Sequence, residues 1–276
     1  MPRSHELSLH SETTNTWSEV ITSLVRSAFR RFGFDIIRYR PTDEGIEFPP
    51  DVSSADRLIL DRVAGYTMTS VERQIALIQA VRHLVHYRIE GAVVECGVWR
   101  GGSSMAIALT LAQEGDTSRD VYLFDTFEGM TPSQDVDKTV AGTPAQSLLD
   151  RDLNKAGWIW AVADIEEVRK NVSSTGYPQE RVRYVKGPVE ATIPAQAPSG
   201  PIALLRLDTD WYQSTKHELT HLFPLLRDGG VLIIDDYGHW EGAKKAVDEY
   251  FADYGRPFYL HRIDYTGRLL VKQSAP

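Results

Sequence analysis

The sequence of 276 residues predicts an α/β fold: a Rossmann-like, doubly wound, mostly parallel seven-stranded sheet with a C-terminal antiparallel hairpin and N-terminal helical additions. Three observations predict it. From residue 92 onward, short apolar runs alternate with segments of helical periodicity, as in sheets covered by helices on both faces. Two of these runs end abruptly in pairs of aspartates. Near the C-terminus, two further runs flank an Asp-Tyr-Thr-Gly turn, which indicates a hairpin.

Composition narrows the class of protein. An apolar content of 42% allows a large core, and a net charge of −8 without a long basic tract argues against a nucleic-acid partner. The single cysteine, Cys96, excludes an internal disulfide and fits a reducing compartment. The sequence predicts neither a membrane span nor a signal peptide, so we expect a cytoplasmic protein.

Residues 1–58 are expected to form an N-terminal extension to an α/β domain at residues 59–276. Residues 1–14 are polar, whereas the apolar residues from Trp17 to Phe32 recur at helical spacing. We expect this helix to cover the core or a partner subunit, with a membrane surface as the alternative. Residues 38–58 contain prolines and are predicted to be a connector.

The elements of the domain follow in order. Thr69 and Glu72 form a capping box that opens a helix continuing through Leu84. Strands are predicted at residues 92–96, 121–124, 182–185, 202–207 and 231–234, and hairpin strands at 258–263 and 268–272. Helices are predicted at residues 103–113, 164–171, about 214–226 and about 242–254. A polar insert, residues 131–156, is long enough to be predicted as a functional lid.

Carboxylates follow the fourth and fifth strands. Asp208 and Asp210 come after the fourth strand, and Asp235 and Asp236 after the fifth. The carboxyl ends of parallel strands meet at one edge, where ligands gather, so these side chains would crowd together and repel unless a cation or protons compensate. Capping of the next helices is the alternative, but two aspartates at each strand end exceed what capping needs. The sequence therefore predicts a Mg²⁺ site.

Residues 93–104 are predicted to form a strand, a glycine loop and a helix start. Glycines allow the backbone to approach a ligand closely, and the free N–H groups of a helix start bind a carboxylate. The spacing from Gly97 to Gly101 and Gly102 departs from the G-x-G-x-x-G pattern of dinucleotide-binding folds. A dehydrogenase is therefore disfavoured.

Further positions indicate a nucleoside site next to this loop. Asp125 ends the second strand, where an acidic residue accepts hydrogen bonds from ribose hydroxyls; a turn or helix cap is the alternative. Lys186 and Gly187 follow the third strand, near the expected place of an adenine ring, although most lysines are simply solvated. Asp164 could belong to this site, to the core or to a helix cap.

The chain resembles the macrocin O-methyltransferase family, which methylates sugar hydroxyls in antibiotic biosynthesis. The resemblance runs from about residue 60 to residue 255 and is carried by residues 66–70, 95–103, 124–130, 207–216 and 235–238. It implies a class I methyltransferase fold, S-adenosylmethionine as methyl donor, Mg²⁺ as metal, a small sugar-containing acceptor and a homo-oligomer.

The resemblance also implies residue roles. Asp208, Asp235 and Asp236 would be the metal ligands and Asp210 the general base. His239 follows the Asp-Asp-Tyr-Gly run near the same edge, and its position makes it a competitor to Asp210 for the proton. The Thr67–Ser70 turn and the Glu95–Gly101 loop would be walls of the donor site. Together with the positions argued above from the strand ends, the predicted donor site consists of Thr67, Met68, Ser70, Glu95, Gly97, Val98, Trp99, Gly101, Ser103, Asp125, Thr126, Phe127, Asp164, Lys186, Gly187 and Asp208.

Two other functions stay open from the sequence. A Mg²⁺-dependent catechol or phenylpropanoid O-methyltransferase would share the fold, donor and metal, although the Asp-Thr-Asp-Trp-Tyr run from Asp208 differs from what we expect there. A non-catalytic nucleotide- or metal-binding module is disfavoured by the intact carboxylates at the strand ends.

Overall fold

The computed structural model describes residues 48–155, 157–255 and 258–274. The helix predicted from Trp17 to Phe32 lies outside these residues, so its role in assembly stays a prediction. The helices are α1 (Ser54–Val63), α2 (Val71–His86), α3 (Gly102–Gln113), α4 (Ala145–Arg151), α5 (Ile165–Ser173), α6 (Val189–Thr192), α7 (Tyr212–Leu222) and α8 (Glu241–Asp253). The strands are β1 (Ala92–Cys96), β2 (Val121–Asp125), β3 (Val182–Lys186), β4 (Ile202–Leu207), β5 (Leu226–Ile234), β6 (His261–Arg262) and β7 (Arg268–Val271).

The strands form one seven-stranded sheet in the order β3-β2-β1-β4-β5-β7-β6. The first five strands pair in parallel, β7 pairs antiparallel to β5, and β6 pairs antiparallel to β7. The predicted doubly wound fold with a C-terminal hairpin is confirmed. The strand order reverses between β1 and β4, and ligands bind at such a switch point outside the carboxyl ends of the strands.

The central strands β1 and β4 are buried along their whole length, because helices cover both sides of the sheet. Successive residues point to opposite faces of a strand, so Val93 and Leu204 join one apolar cluster whereas Val94 and Leu205 join the other. This explains why the strands were recognisable as continuous apolar runs. None of the helices among the described residues has the length and apolar character needed to cross a bilayer.

Several element boundaries differ from the sequence predictions. Strand β5 begins at Leu226 instead of residue 231, β6 contains only His261–Arg262 of the predicted residues 258–263, and the helix predicted at 164–171 spans Ile165–Ser173. Two further helix boundaries have a clear local cause. The N-cap of α2 is Ser70, whose hydroxyl accepts from the Arg73 N–H at 3.2 Å, so the predicted capping box starting at Thr69 is wrong by one residue. Helix α7 ends at Leu222 instead of continuing to residue 226. Pro224 lies in the 3₁₀ turn that follows, and a proline lacks the N–H that a longer helix would need.

Three helices of the described residues were not predicted from the sequence. Helix α1 begins at Ser54 within the predicted connector, α4 lies in the insert, and α6 follows β3. The side chain of Ser53 caps α1 by accepting from the Asp56 N–H at 3.1 Å. The short length of α4 and α6 explains why periodicity did not reveal them.

Candidate active site

The four aspartates meet where β4 and β5 end. Strand register places Leu207 beside Cys96 and beside Ile234. Ladder-like hydrogen bonds continue past the strand ends, from the Asp208 N–H to the Cys96 carbonyl at 2.8 Å and from the Asp235 N–H to the Leu207 carbonyl at 2.9 Å. The rigid sheet therefore fixes the backbone of the residues that carry the carboxylates.

Asp208, Asp235 and Asp236 form a compact acidic cluster. One carboxylate oxygen from each lies within 4.8 Å of the others. Burial raises the pKa of Asp208 and of Asp236 well above the usual range, and the charge of Asp235 adds to both shifts. The sequence prediction that these side chains converge is confirmed by this geometry.

Two arginines lie beneath and beside the cluster. Arg206, with 3% of its side chain exposed, donates to Asp208 Oδ2 and to Asp235 Oδ1, each at 2.8 Å. Its guanidinium also pairs with the fully buried Glu95 at 2.9 Å. Arg73 binds the second oxygen of Asp235 and pairs with Asp264 at 3.0 Å. Both arginines orient the cluster and neutralise part of its charge.

The cluster remains suited to a divalent cation. Arg206 also pairs with Glu95, and Arg73 also pairs with Asp264. Because both of these carboxylates lie outside the cluster, the two arginines do not neutralise the full negative charge of the aspartates. Burial is the largest cause of the raised pKa values of Asp208 and Asp236, and repulsion from neighbouring carboxylates raises both further. Oxygen donors with uncompensated charge are the ligands that Mg²⁺ prefers.

Asp210 adopts a strained backbone conformation with φ of +67°, which a non-glycine residue rarely occupies. Its Oδ1 accepts from the indole N–H of Trp240 at 2.8 Å, and its carboxyl is also hydrogen-bonded to Asp236. Burial, followed by the charge of Asp208, raises the pKa of Asp210 to about 7. A carboxylate with such a pKa can hold or release a proton near neutral pH.

His239 lines the same cavity as the acidic cluster. Its Nδ1 lies 3.4 Å from the Tyr265 hydroxyl, and its ring packs edge-on against Trp240. Burial lowers the pKa of His239, and the charge of Arg73 lowers it further. The imidazole is therefore biased toward its neutral form, which can accept a proton.

The glycine loop lies directly against the acidic half of the site. A Cβ at Gly97, where φ is +83°, would lie 1.9 Å from the Asp208 carbonyl oxygen. Asp125 holds the loop from the other side, because its Oδ2 accepts from the N–H groups of Val98 at 2.6 Å and Trp99 at 3.1 Å. Its Oδ1 accepts from the Phe127 N–H at 2.6 Å. Asp125 thus organises turns in this structure, and a ribose contact stays a prediction.

One cavity of about 310 Å³ joins the loop and the cluster. Among the predicted site residues, the cavity is lined by Thr67, Met68, Gly97, Val98, Trp99, Ser103, Asp125, Thr126, Gly187, Asp208, Asp210, Asp235, Asp236 and His239. The structure therefore brings together most of the predicted donor site with all of the predicted metal ligands and both base candidates.

Three predicted donor residues contact neighbouring elements but do not line the cavity. Glu95 is fully buried and accepts from Arg206 and from the Ser104 hydroxyl. Ser70 caps α2 and donates to Asp264 at 2.7 Å. Phe127 is buried in the apolar core. These residues support the site from outside the cavity.

The remaining three predicted donor residues form helix caps or a surface ion pair. Gly101 is the N-cap of α3 with φ of +89°. Asp164 is the N-cap of α5 and accepts from the Glu166 N–H at 2.8 Å. Of the three roles considered from the sequence, this contact is that of a helix cap. Lys186 is exposed and pairs with Glu128 at 2.8 Å.

The insert is packed against the site. Trp211 donates its indole N–H to the Thr131 carbonyl at 3.0 Å, and Asp137 accepts from the Tyr212 N–H at 2.8 Å. A small apolar cluster joins α4 to the cavity wall; its buried members are Ala145, Leu149, Ile159, Trp211, Trp240 and Ala243. The insert therefore forms an ordered wall of the cavity, and whether it opens as a lid stays a prediction.

Sequence reasoning missed several lining residues. Arg73, Arg206 and Trp240 line the cavity, as does the mostly exposed Trp158. Arg206 carried a detectable signal, because a charge inside a buried strand needs a partner. Nothing in the local sequence distinguished Trp240 from an ordinary core residue.

A doubly wound sheet with a glycine loop after β1 and a carboxylate cluster after β4 and β5 defines a class I O-methyltransferase. Comparison with known proteins gives the family: residues 53–272 match the macrocin-O-methyltransferase (TylF) family. The chain belongs to this family and is an S-adenosylmethionine-dependent O-methyltransferase.

Individual relatives agree with this assignment. The chain is 37% identical over 204 residues, 73% of this chain and 74% of the relative, to 8-demethyl-8-(2,3-dimethoxy-alpha-L-rhamnosyl)-tetracenomycin-C 4'-O-methyltransferase of Streptomyces olivaceus. It is 35% identical over 202 residues, covering 73% and 74%, to demethyldecarbamoylnovobiocin O-methyltransferase of Streptomyces niveus. Among solved structures it is similar to the O-methyltransferase NovP, with a TM-score of 0.64, 29% identity and coverage of 93% of this chain and 100% of that one.

Proposed function

We propose that this enzyme transfers the methyl group of S-adenosylmethionine to a hydroxyl of a sugar carried by a natural product, and that it requires Mg²⁺. The observation that carries the proposal is that the glycine loop and the carboxylates of Asp208, Asp235 and Asp236 line the same cavity. The name of one relative specifies a rhamnosyl group in its acceptor, which supports a sugar as the methylated group.

Asp208, Asp235 and Asp236 would hold the metal. When bound, Mg²⁺ would stabilise the developing alkoxide of the acceptor and orient the hydroxyl. Arg206 and Arg73 keep the Asp235 carboxylate in one orientation by binding both of its oxygens. The Asp235 carboxylate is therefore held in place before any ligand arrives, which favours a defined coordination geometry.

Asp210 is the proposed general base. As the acceptor oxygen forms its bond to the methyl carbon, the carbon–sulfur bond breaks, S-adenosylhomocysteine leaves, and the hydroxyl proton passes to the Asp210 carboxylate. A positioned base accelerates such a step by about 10²–10⁴-fold. His239 is the second candidate, because it lines the same cavity and its pKa is lowered.

The donor would bind along the loop after β1. The N–H groups at the start of α3 suit the donor carboxylate, and Asp125 faces the cavity beside them. We also propose that the insert closes over the acceptor, because its first residue, Thr131, lines the cavity and methyl transfer benefits from excluding water.

Acceptor screening tests the proposal. Labelled S-adenosylmethionine would be incubated with 4-nitrophenyl α-L-rhamnoside, demethyldecarbamoylnovobiocin or catechol, each with Mg²⁺ or with EDTA. We expect methylation of a sugar-bearing acceptor in Mg²⁺ and none in EDTA. Turnover of catechol alone would favour the catechol-type enzyme, and donor binding without turnover of any acceptor would favour a binding module. Full activity in EDTA with metal-free enzyme would exclude the metal role.

Substitution separates the two base candidates. Asp210→Asn keeps the shape of the side chain but removes its ability to take a proton, so kcat should fall strongly while donor affinity stays unchanged. His239→Asn should have the smaller effect. If the histidine change is the more damaging one while both variants bind donor and metal normally, His239 is the base and Asp210 positions the substrate.

A further inference from the structure

Trp240 lies between the acidic cluster and the insert. It is the N-cap residue of α8 and is 2% exposed. Its indole N–H donates to Asp210 Oδ1 at 2.8 Å. Its ring packs edge-on against Trp211, with ring centroids 5.0 Å apart. Thus a neutral, buried donor makes a direct hydrogen bond to the proposed base.

We propose that Trp240 is a positioning residue that fixes the Asp210 carboxylate for proton transfer. The proposal rests on the assignment of Asp210 as general base. A base must lie within hydrogen-bond reach of the proton that it takes. Holding one carboxylate oxygen with the indole N–H restricts rotation of the carboxyl group and directs the other oxygen.

The backbone of Asp210 makes such a restraint necessary. Its φ of +67° lies in a region that L-residues rarely occupy, so the conformation depends on surrounding contacts. Asp236 competes for the same carboxyl through a hydrogen bond. The indole supplies a hydrogen bond of fixed direction and adds no charge, so it does not compete electrostatically with a metal ion in the cluster.

Trp240 is itself held in place. Its backbone N–H donates to the Asp236 carbonyl at 3.1 Å, and it forms an isolated bridge with Thr139 of the insert. The ring belongs to the buried apolar cluster of the insert. Because Trp240 is packed on several sides, its N–H presents one direction to Asp210, as a residue that supports a catalytic group must.

Trp211 offers a matched control for testing this role. It is also 2% exposed, lies in the same apolar cluster, and donates its indole N–H at 3.0 Å to the Thr131 carbonyl instead of to Asp210. Trp240→Phe and Trp211→Phe each remove one buried indole hydrogen bond. Only the first removes a bond to the proposed base.

The experiment measures kcat, both KM values and Mg²⁺ half-saturation with 4-nitrophenyl α-L-rhamnoside, or with whichever sugar acceptor the screen selects. Trp240→Phe should lower kcat about ten- to a hundredfold, the loss expected for a hydrogen bond to a charged group. Its KM for S-adenosylmethionine and its Mg²⁺ half-saturation should match those of Trp211→Phe. Equal kcat values for the two variants would overturn the proposal.

A double variant with Asp210→Asn separates the positioning role of Trp240 from the role of Asp210 as base. If Trp240 acts through Asp210, Trp240→Phe should have almost no further effect on kcat in the Asp210→Asn background. A full additional loss there would overturn the positioning role while leaving Asp210 as base. Wild-type activity of Asp210→Asn alone would instead refute the proposed base, and the positioning role with it.

An activity-free measurement completes the test. In nitrogen-15 NMR spectra, Asp210→Asn should move the indole N–H resonance of Trp240 and leave that of Trp211 in place; a resonance of Trp240 that does not move would count against the bond. If Trp240→Phe does not fold, 3-benzothienylalanine at position 240 keeps the two-ring shape and lacks the N–H. A wild-type kcat in that variant would overturn the proposal.

Discussion

Replacing Arg206 with methionine tests how the acidic cluster is held together. The guanidinium contacts Glu95, Asp208 and Asp235 at 2.8–2.9 Å. Methionine fills much of the space of the aliphatic stem but supplies no positive charge. In Arg206→Met, the fully buried Glu95 would lose its cationic partner, and Asp235 would keep only Arg73.

The expected loss of stability is large. Removing one partner of a buried ion pair destabilises a protein by about 3–5 kcal/mol, because the other charge is left buried without compensation. Since a native domain is stable by only about 5–15 kcal/mol, the variant should unfold at a clearly lower denaturant concentration. Arg227→Met is the control: its pair with Glu90 has side chains 51% and 82% exposed, so a change within about 1 kcal/mol is expected.

Equilibrium unfolding in guanidinium chloride, without and with Mg²⁺, measures both effects. If the cluster binds Mg²⁺, the ion should stabilise Arg206→Met as well, because a ligand that binds the folded state shifts unfolding toward higher denaturant. Adding Glu95→Gln to Arg206→Met should recover part of the loss by removing the unpaired charge. A loss for Arg206→Met no greater than that of Arg227→Met would refute the view that Arg206 holds the cluster together.

Three further predictions follow from individual side chains. Asp125→Ala should weaken S-adenosylhomocysteine binding by about 1.5–3 kcal/mol, the worth of hydrogen bonds to a charged group, and calorimetry showing unchanged affinity would limit Asp125 to shaping turns. Burial raises the pKa of Glu218 well above its ordinary value of 4.5, so its contribution to stability is full below pH 4.5 and is lost as the pH rises toward the folded-state pKa. The stability of Glu218→Gln relative to wild type should therefore increase by up to about 1.4 kcal/mol per pH unit above 4.5, and a difference in unfolding free energy that does not change with pH would contradict this. Asp137→Ala removes the acceptor for the Gln134 and Tyr212 N–H groups, so trypsin should cut the insert at Lys138 faster than in wild type, and unchanged cleavage would show that other contacts hold the insert.

The central strands were predicted accurately because burial on both faces makes each of them a continuous apolar run in the sequence. Strands β1 and β4 occur at the predicted residues 92–96 and 202–207. Their carboxyl ends lie together because parallel strands share one edge, so the convergence of Asp208 with Asp235 and Asp236 followed from strand assignment alone. No long-range information was needed for this part of the site.

The features of the site that the sequence did not predict depend on tertiary contacts. Glu95 was expected to contact the donor, but its carboxylate pairs with Arg206, a residue 111 positions away. The wall formed by the insert depends on Trp211 and Trp240, which come from outside it. Spacing along the chain cannot reveal such partners, since an apolar indole has the same sequence signature whether its N–H meets a backbone carbonyl or a catalytic carboxylate.

The close approach of β1 and β4 explains why donor and acceptor groups can meet in one cavity. A side chain at Gly97 would overlap the Asp208 carbonyl oxygen, which would lie 1.9 Å from the added Cβ. Glycine therefore lets the loop after β1 touch the segment that carries Asp208 and Asp210. Below this contact, Ser104 at the start of α3 bonds to Glu95, and Glu95 pairs with Arg206. One buried polar network within the sheet thus supports both the glycine loop and the acidic cluster. Their separation is set by strand pairing and by this network, so the alignment needed for methyl transfer is largely built into the rigid part of the fold.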